Sequence, residues 1–155
     1  MKLMFSKAWL FKLFINIWPP MFFSRIKLVH ISPDFREARA EMKLGLLNRN
    51  GVGTLFGGAL FSLTDPFYMM LLMARLGDEY LIWDKSADID FVKPGKGKVS
   101  AEFIITDQML ADIDKHTANG DKYLPEVTTY VKDETGEVVA KVNRTLYIRR
   151  KKRFR

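Results

Sequence analysis

The stretch from Gly51 to Ala74 constrains the fold most, because it is predominantly apolar and carries one charged side chain, Asp65. A run of that length could cross a bilayer, which takes about 20 residues. An aspartate near mid-span opposes this, at a cost of roughly 2.5–3.5 kcal/mol on insertion scales. Pro66 beside it adds a helix break. The flanking segments read as strands, and a sheet wrapped around the stretch would bury it without lipid. The expectation is a long buried helix from Leu55 to Leu76, hydrophobic nearly all round and covered on most sides.

Strand patterns surround it. Arg25 to Ile31 reads as a short strand before a turn at Ser32, Pro33 and Asp34. Ala38, Ala40, Met42 and Leu44 alternate with Glu37, Arg39, Glu41 and Lys43, as in a half-buried strand. Beyond the helix come Tyr80 to Asp84 and Ala87 to Val92, separate or continuous, then Lys98 to Thr106. Gln108 to His116 reads as a short helix. Pro125 to Lys132 and Glu137 to Arg149 form a hairpin about Asp133–Gly136. Runs of strands with a segregated helix indicate an α+β fold. One helix apolar on all sides needs a curved antiparallel sheet around it, which is the hotdog architecture.

With 155 residues and 18.0 kDa, the chain favours one domain. The expected organisation is an apolar helix over 1–24 packed on a hotdog domain over 25–150, with a basic tail over 151–155. The absence of cysteine excludes disulfides and thiolate zinc sites. His30 and His116 stand apart from any carboxylate cluster, so no metal site is expected. The net charge is +7, and Arg149 to Arg155 form an almost unbroken basic run. It reads as a solvated tail, with phosphate-bearing ligands, an anionic membrane surface or nucleic acid as functional alternatives. Met1 to Phe23 is apolar, but Lys7, Lys12 and the pair Pro19 and Pro20 interrupt it, unlike a signal peptide. Lysines five apart rotate around a helix axis, which makes a poor interfacial helix. Packing on the domain is expected, with weak membrane contact as the lesser alternative.

Chemistry concentrates between Asn50 and Asp65. Gly57 and Gly58 open the apolar helix, where free backbone N–H groups meet the positive end of the dipole. Such groups can hold a carbonyl and its developing oxyanion, although the glycines could equally serve close packing. Asp65 lies about two turns further on. It can act as nucleophile or general base. Alternatively, Asp65 and Pro66 are an N-cap and an N1 proline, with no catalytic role. Other constellations fail: the glycines do not follow a dinucleotide-binding spacing, and Ser62 lacks the surroundings of a nucleophile elbow.

The segment Gly53, Thr54, Leu55, Phe56, Gly57 and Gly58, through Leu63 and Asp65, resembles the helix motif of small hotdog acyl-CoA thioesterases. The run through Trp83, Asp84, Lys85 and Ser86 and then Phe91 to Gly95 is similar to a thioesterase-like branch of that superfamily. The resemblance implies that Asp65 is the base or nucleophile and the Gly57 N–H, with Gly58 beside it, the oxyanion donor. Asn50 would position a water or carbonyl. It further implies a homo-oligomer, a dimer or dimer of dimers, whose facing strand supplies residues from Asp84, Lys85 and Ser86 to Asp88. Many members have histidine before the glycine pair, where this chain has Phe56. Either the backbone N–H suffices there, or Lys85 substitutes from the facing strand, or the domain binds acyl groups without efficient turnover.

The implied activity is hydrolysis of an acyl-CoA or acyl-carrier-protein thioester in the cytoplasm. Coenzyme A would enter as part of the substrate and no separate cofactor is expected. Lys93, Lys96, Lys98 and the terminal basic run are candidates to meet the coenzyme phosphates. The alternative is a non-catalytic acyl- or lipid-binding module. Nucleic acid is not expected.

Overall fold

A computed structural model describes residues 3–152. The chain opens with α1 (Ala8–Ile17) and α2 (Pro19–Phe23), followed by β1 (Ile26–Ile31) and β2 (Glu37–Lys43). Next come α3 (Gly57–Thr64) and α4 (Phe67–Leu76), then β3 (Tyr80–Phe91) and β4 (Lys98–Ile104). The remainder is α5 (Asp107–Thr117), the two-residue β5 (Lys122–Tyr123), β6 (Glu126–Asp133) and β7 (Val138–Arg150). All strand pairings are antiparallel, in the order β1-β2-β4-β6-β7-β3, with β5 pairing on β7.

The sheet wraps α3 and α4, so the chain has the expected α+β hotdog fold. Facing pairs explain how the helix fits. Ala40 lies opposite Ala101, Ala38 opposite Phe103 and Met42 opposite Val99 on β2 and β4. Small side chains on the inner face leave room for Leu63, Phe67, Leu71 and Leu72, all fully buried. The Phe67 ring lies against Phe103 with centroids 4.6 Å apart. α1 covers β1 through Phe11 and Ile15, also fully buried.

The central helix carries a break that the apolar pattern alone does not foretell. The expected continuous run from Leu55 to Leu76 starts at Gly57 and divides at Asp65 and Pro66. Proline has no N–H to donate, so helical bonding restarts with Met70 N–H to Pro66 O at 3.0 Å. Gly77, with φ +65°, then ends α4 where a side chain would be strained. The expected strands at Tyr80–Asp84 and Ala87–Val92 are one strand, with a bulge between Asp84 and Ser86. The single apolar helix expected over 1–24 is, among the described residues, two helices, α1 from Ala8 and α2 from Pro19.

The basic run does not begin as a tail. Arg149 and Arg150 belong to β7. The Arg149 side chain donates to Gly120 O, and Arg150 reaches Tyr80 and Asp114. The part of the expectation resting on residues 153–155 lies outside the described residues. Among the described residues, no helix is long and apolar enough to cross a membrane.

Candidate active site

At the start of α3, Phe56 is the N-cap and offers no side-chain cap. The Gly57 and Gly58 N–H groups therefore face outward from the first turn without an intrahelical acceptor. The preceding loop is fixed by two asparagines. Asn48 is buried; its side chain donates to Ser24 O (2.9 Å) and Lys43 O (3.0 Å) and accepts from Gly45 N–H. Its carbonyl accepts the Phe56 N–H at 2.8 Å. The Asn50 amide nitrogen donates to Thr54 Oγ1 (2.9 Å) and Leu55 O (3.3 Å). Its Oδ1 accepts from Val52 and Thr54 N–H. Asn50 thus shapes the loop while lining a cavity of about 430 Å³ with Gly57, Leu60, Phe91 and Lys93.

Both glycines are tightly approached by aromatic rings. A Cβ on Gly57 would lie 2.8 Å from Phe91 Cζ, and one on Gly58 would clash with Phe56 Cε1. Packing and access thus meet at one pair of residues. The absent side chains admit the rings and leave the backbone donors beside an apolar cavity.

Asp65 sits at the far end of α3. It is the C-cap residue, in helical conformation, with its N–H donating to Ser62 O at 3.3 Å. Pro66, not Asp65, occupies the N-cap of α4, and no side chain caps it. The carboxylate is instead drawn to Arg144, whose Nη1 lies 3.2 Å from Asp65 Oδ1 and 2.6 Å from Asp84 Oδ2. The Arg144 side chain is 4 % exposed, against 20 % for Asp84 and 51 % for Asp65. Its guanidinium also lies over the Phe61 ring, 5.4 Å from the centroid. Burial pushes the Asp84 carboxyl above the ordinary carboxylate value; the Arg144 charge opposes this and the Asp65 charge adds to it. Arg144 Nη2 and Asp84 Oδ1 are buried with no hydrogen-bond partner among the described residues.

Arg144 is not among the residues that the sequence singles out as a candidate, although a signal is there. It falls in phase with Val142, Leu146 and Ile148 on the inward face of β7. An arginine at a core position of a strand demands a carboxylate partner.

The other expected residues fall into place around these two centres. Ser86 lies just past the β3 bulge and shares a cavity of about 400 Å³ with Asp88, Glu126 and Arg144. Lys85, at the bulge, is exposed. The Lys93 ammonium turns toward the β6–β7 hairpin, 2.7 Å from Asp133 Oδ2 and paired with Glu137 as well. That pairing raises the Lys93 pKa and holds the Asp133 carboxyl well below the usual range. Lys98 pairs with Glu41 at 3.4 Å. Asn50, Phe56, Gly57, Gly58 and Lys93 therefore gather at one end of α3, and Asp65, Asp84 and Ser86 at the other with Arg144. Eight residues of helix separate Gly57 from Asp65, about 12 Å along the axis. One chain does not bring the Asp65 carboxylate to the Gly57 N–H.

Among solved structures, the Pseudomonas aeruginosa protein PA5026, described as a probable thioesterase, has 21 % identity and a TM-score of 0.79. The match covers 90 % of this chain and 93 % of that one. Thioesterase HI1161 of Haemophilus influenzae has 12 % identity and a TM-score of 0.63, covering 86 % and 84 %. A mutant of the Staphylococcus aureus thioesterase SAV0944 has 16 % identity and a TM-score of 0.61, covering 83 % and 97 %. At these identities the likeness is one of fold, and the fold is thioesterase-like. No curated protein sequence matches the chain. Residues 7–148 match the family described as "Domain of unknown function (DUF4442)", and the chain belongs to that family.

Proposed function

We propose that the protein hydrolyses an acyl thioester, carried by coenzyme A or an acyl carrier protein, at a site assembled from two copies of the chain. The observation that carries this reading is Asp65: a half-exposed carboxylate at a break in an otherwise apolar helix, tethered through one oxygen by a buried arginine. Its other oxygen is left to meet a water or a carbonyl carbon. In the hydrolytic step, Asp65 takes a proton from water as the water oxygen adds to the thioester carbonyl. The Gly57 N–H of the other copy receives the oxyanion. The carbon–sulfur bond then breaks, and the thiolate leaves with a proton returned from Asp65. Attack by Asp65 itself, through an anhydride later opened by water, uses the same geometry.

Assembly belongs to this reading because the two halves of the site are too far apart within one chain. β3 is an edge strand of twelve residues with Leu81, Trp83 and Phe91 exposed, and such an edge readily pairs with another copy. Asn50 would order the loop beside the carbonyl, while Lys85 and Ser86 of the facing strand would line the thioester. Lys93, held by Asp133 and Glu137, would reach the coenzyme phosphates only by leaving those partners. A cytoplasmic location goes with substrates of this class.

A panel of acyl-CoA substrates assayed with wild type, Asp65→Ala and Asp65→Asn tests the reading. Turnover that falls at least a hundredfold in both variants supports it, and equal activity removes Asp65 from the reaction. A second reading, acyl binding without turnover, is favoured by Phe56 and Phe91 crowding the glycine pair. It predicts co-purified fatty acid or acyl-CoA by mass spectrometry and no hydrolysis of any substrate.

A further inference from the structure

The outer surface of the N-terminal helices is apolar and uncovered. On α1, Trp9 (60 % exposed), Leu13 (52 %) and Ile17 (63 %) recur every four residues along one stripe. Phe22 (58 %) and Phe23 (59 %) extend it on α2. The lysines expected to interrupt this face do not. Lys7 precedes the helix as its N-cap, and the Lys12 ammonium folds back to donate to Val29 O at 2.6 Å. The exposed Leu46 and Leu47 form a helical turn next to the stripe, tied to the end of α2 by Asn48 Nδ2 donating to Ser24 O.

A basic rim adjoins the apolar face. Phe22 and Leu47 share a cavity of about 460 Å³ with Arg25, Lys27, Lys43 and Lys98. Its one carboxylate, Glu41, is engaged by Arg39 and Lys98. The chain as a whole carries +7.

We propose that α1, α2 and the Leu46–Leu47 turn form a docking surface for an anionic lipid bilayer. α1 has ten residues, about 15 Å of helix, half the hydrocarbon thickness of roughly 30 Å. It therefore lies in the interface plane with Trp9, Leu13 and Ile17 inserted, while Arg25, Lys27 and Lys43 meet lipid headgroups. A second copy is a poorer occupant: a two-fold contact through this face would set that basic rim against its own counterpart. This inference stands independently of any thioester chemistry.

Co-sedimentation of the full chain with vesicles tests it, using phosphatidylcholine alone or mixed 3:1 with phosphatidylserine. Binding to the anionic vesicles is expected to be at least tenfold tighter and to weaken severalfold in high salt. The triple variant Trp9→Ala/Ile17→Ala/Phe23→Ala should lose at least tenfold of that binding with an unchanged circular dichroism spectrum. The pair Lys27→Glu/Lys43→Glu, which leaves every apolar contact in place, should lose the preference for anionic lipid and serves as the readout should the triple variant fail to fold. No sedimentation of wild type with anionic vesicles overturns the proposal, as does wild-type-like binding by the charge-reversed pair. A change of oligomeric state in the triple variant without vesicle binding by wild type would assign the face to a second copy instead.

Discussion

Arg144→Met keeps an unbranched apolar side chain at the position and removes the guanidinium that lies over Phe61 and joins Asp65 to Asp84. The loss divides unequally between the two carboxylates. Asp65 is half exposed, so solvent screens it and its share is that of a surface pair, about 0.2–1 kcal/mol. Asp84 is the less exposed carboxylate, part-buried at 2.6 Å from the Nη1 of the buried Arg144. Unit charges about 4 Å apart attract by ~4 kcal/mol at an effective dielectric near 20, and removing one partner of a buried pair costs about 3–5 kcal/mol. The remaining exposure of Asp84 lets solvent limit the damage, so a net loss of about 3 kcal/mol is expected at pH 7.5. With a urea slope of ~2 kcal/mol/M, the unfolding midpoint falls by about 1.5 M at fixed protein concentration. The pH dependence has a definite sign. Burial holds the Asp84 carboxyl above its ordinary value, so its contribution is full below that value and is lost as pH rises through the raised one. Without Arg144 the largest opposing influence is gone and the carboxyl rises further. The deficit of Arg144→Met relative to wild type should therefore shrink between pH 7.5 and pH 5. Adding Asp84→Asn removes the stranded charge and should recover most of the midpoint. A deficit under about 1 kcal/mol at pH 7.5, or no recovery in the double variant, would refute the claim that Arg144 acts by compensating Asp84.

Phe67→Ala should cost about 3–5 kcal/mol in urea unfolding, since the ring is fully buried against Phe103. Gly57→Ala should leave the melting temperature near that of wild type, because the atom it meets is the tip of the exposed Phe91 ring. The same change should lower acyl-CoA turnover on the order of 10²-fold by displacing the carbonyl from its donor, as steady-state assays would report. Asn48→Ala removes the buried amide that pairs with Ser24 O, Lys43 O and Gly45 N–H. Each group left unpaired costs about 1–3 kcal/mol, and thermal unfolding would register the loss.

Strands are legible wherever side chains alternate, as from Glu37 to Lys43 and Val99 to Phe103, because a sheet with one buried face writes a period of two into the chain. The bulge beside Lys85 leaves no such mark: one inserted residue merely shifts the phase, which a short window reads as two strands. Asp65 and Pro66 are visible as a helix boundary but point to the wrong kind. Asp65 resembles an N-cap in sequence, yet its backbone is helical and its carboxylate is claimed by Arg144, 79 residues away. Lys12 shows the same limit. Its position around α1 follows from sequence, whereas its turn back onto Val29 O depends on where β1 packs. Contacts across the fold decide both side chains, and local spacing does not contain them.

The two ends of α3 are complementary, and that has a consequence for assembly. Unpaired N–H groups and the positive end of the helix dipole lie at Gly57, while a carboxylate lies at Asp65. Two copies related by a two-fold axis can set their α3 helices antiparallel. Each start then faces the other's end, the helix dipoles oppose, and Asp65 of one copy approaches the Gly57 donor of its mate. A parallel arrangement would bring acid to acid and donor to donor, so it satisfies neither electrostatics nor chemistry. On this reading catalysis and dimerisation are one property of α3. A variant that folds but stays monomeric, through charges placed along the exposed edge of β3, should be inactive with every site residue intact.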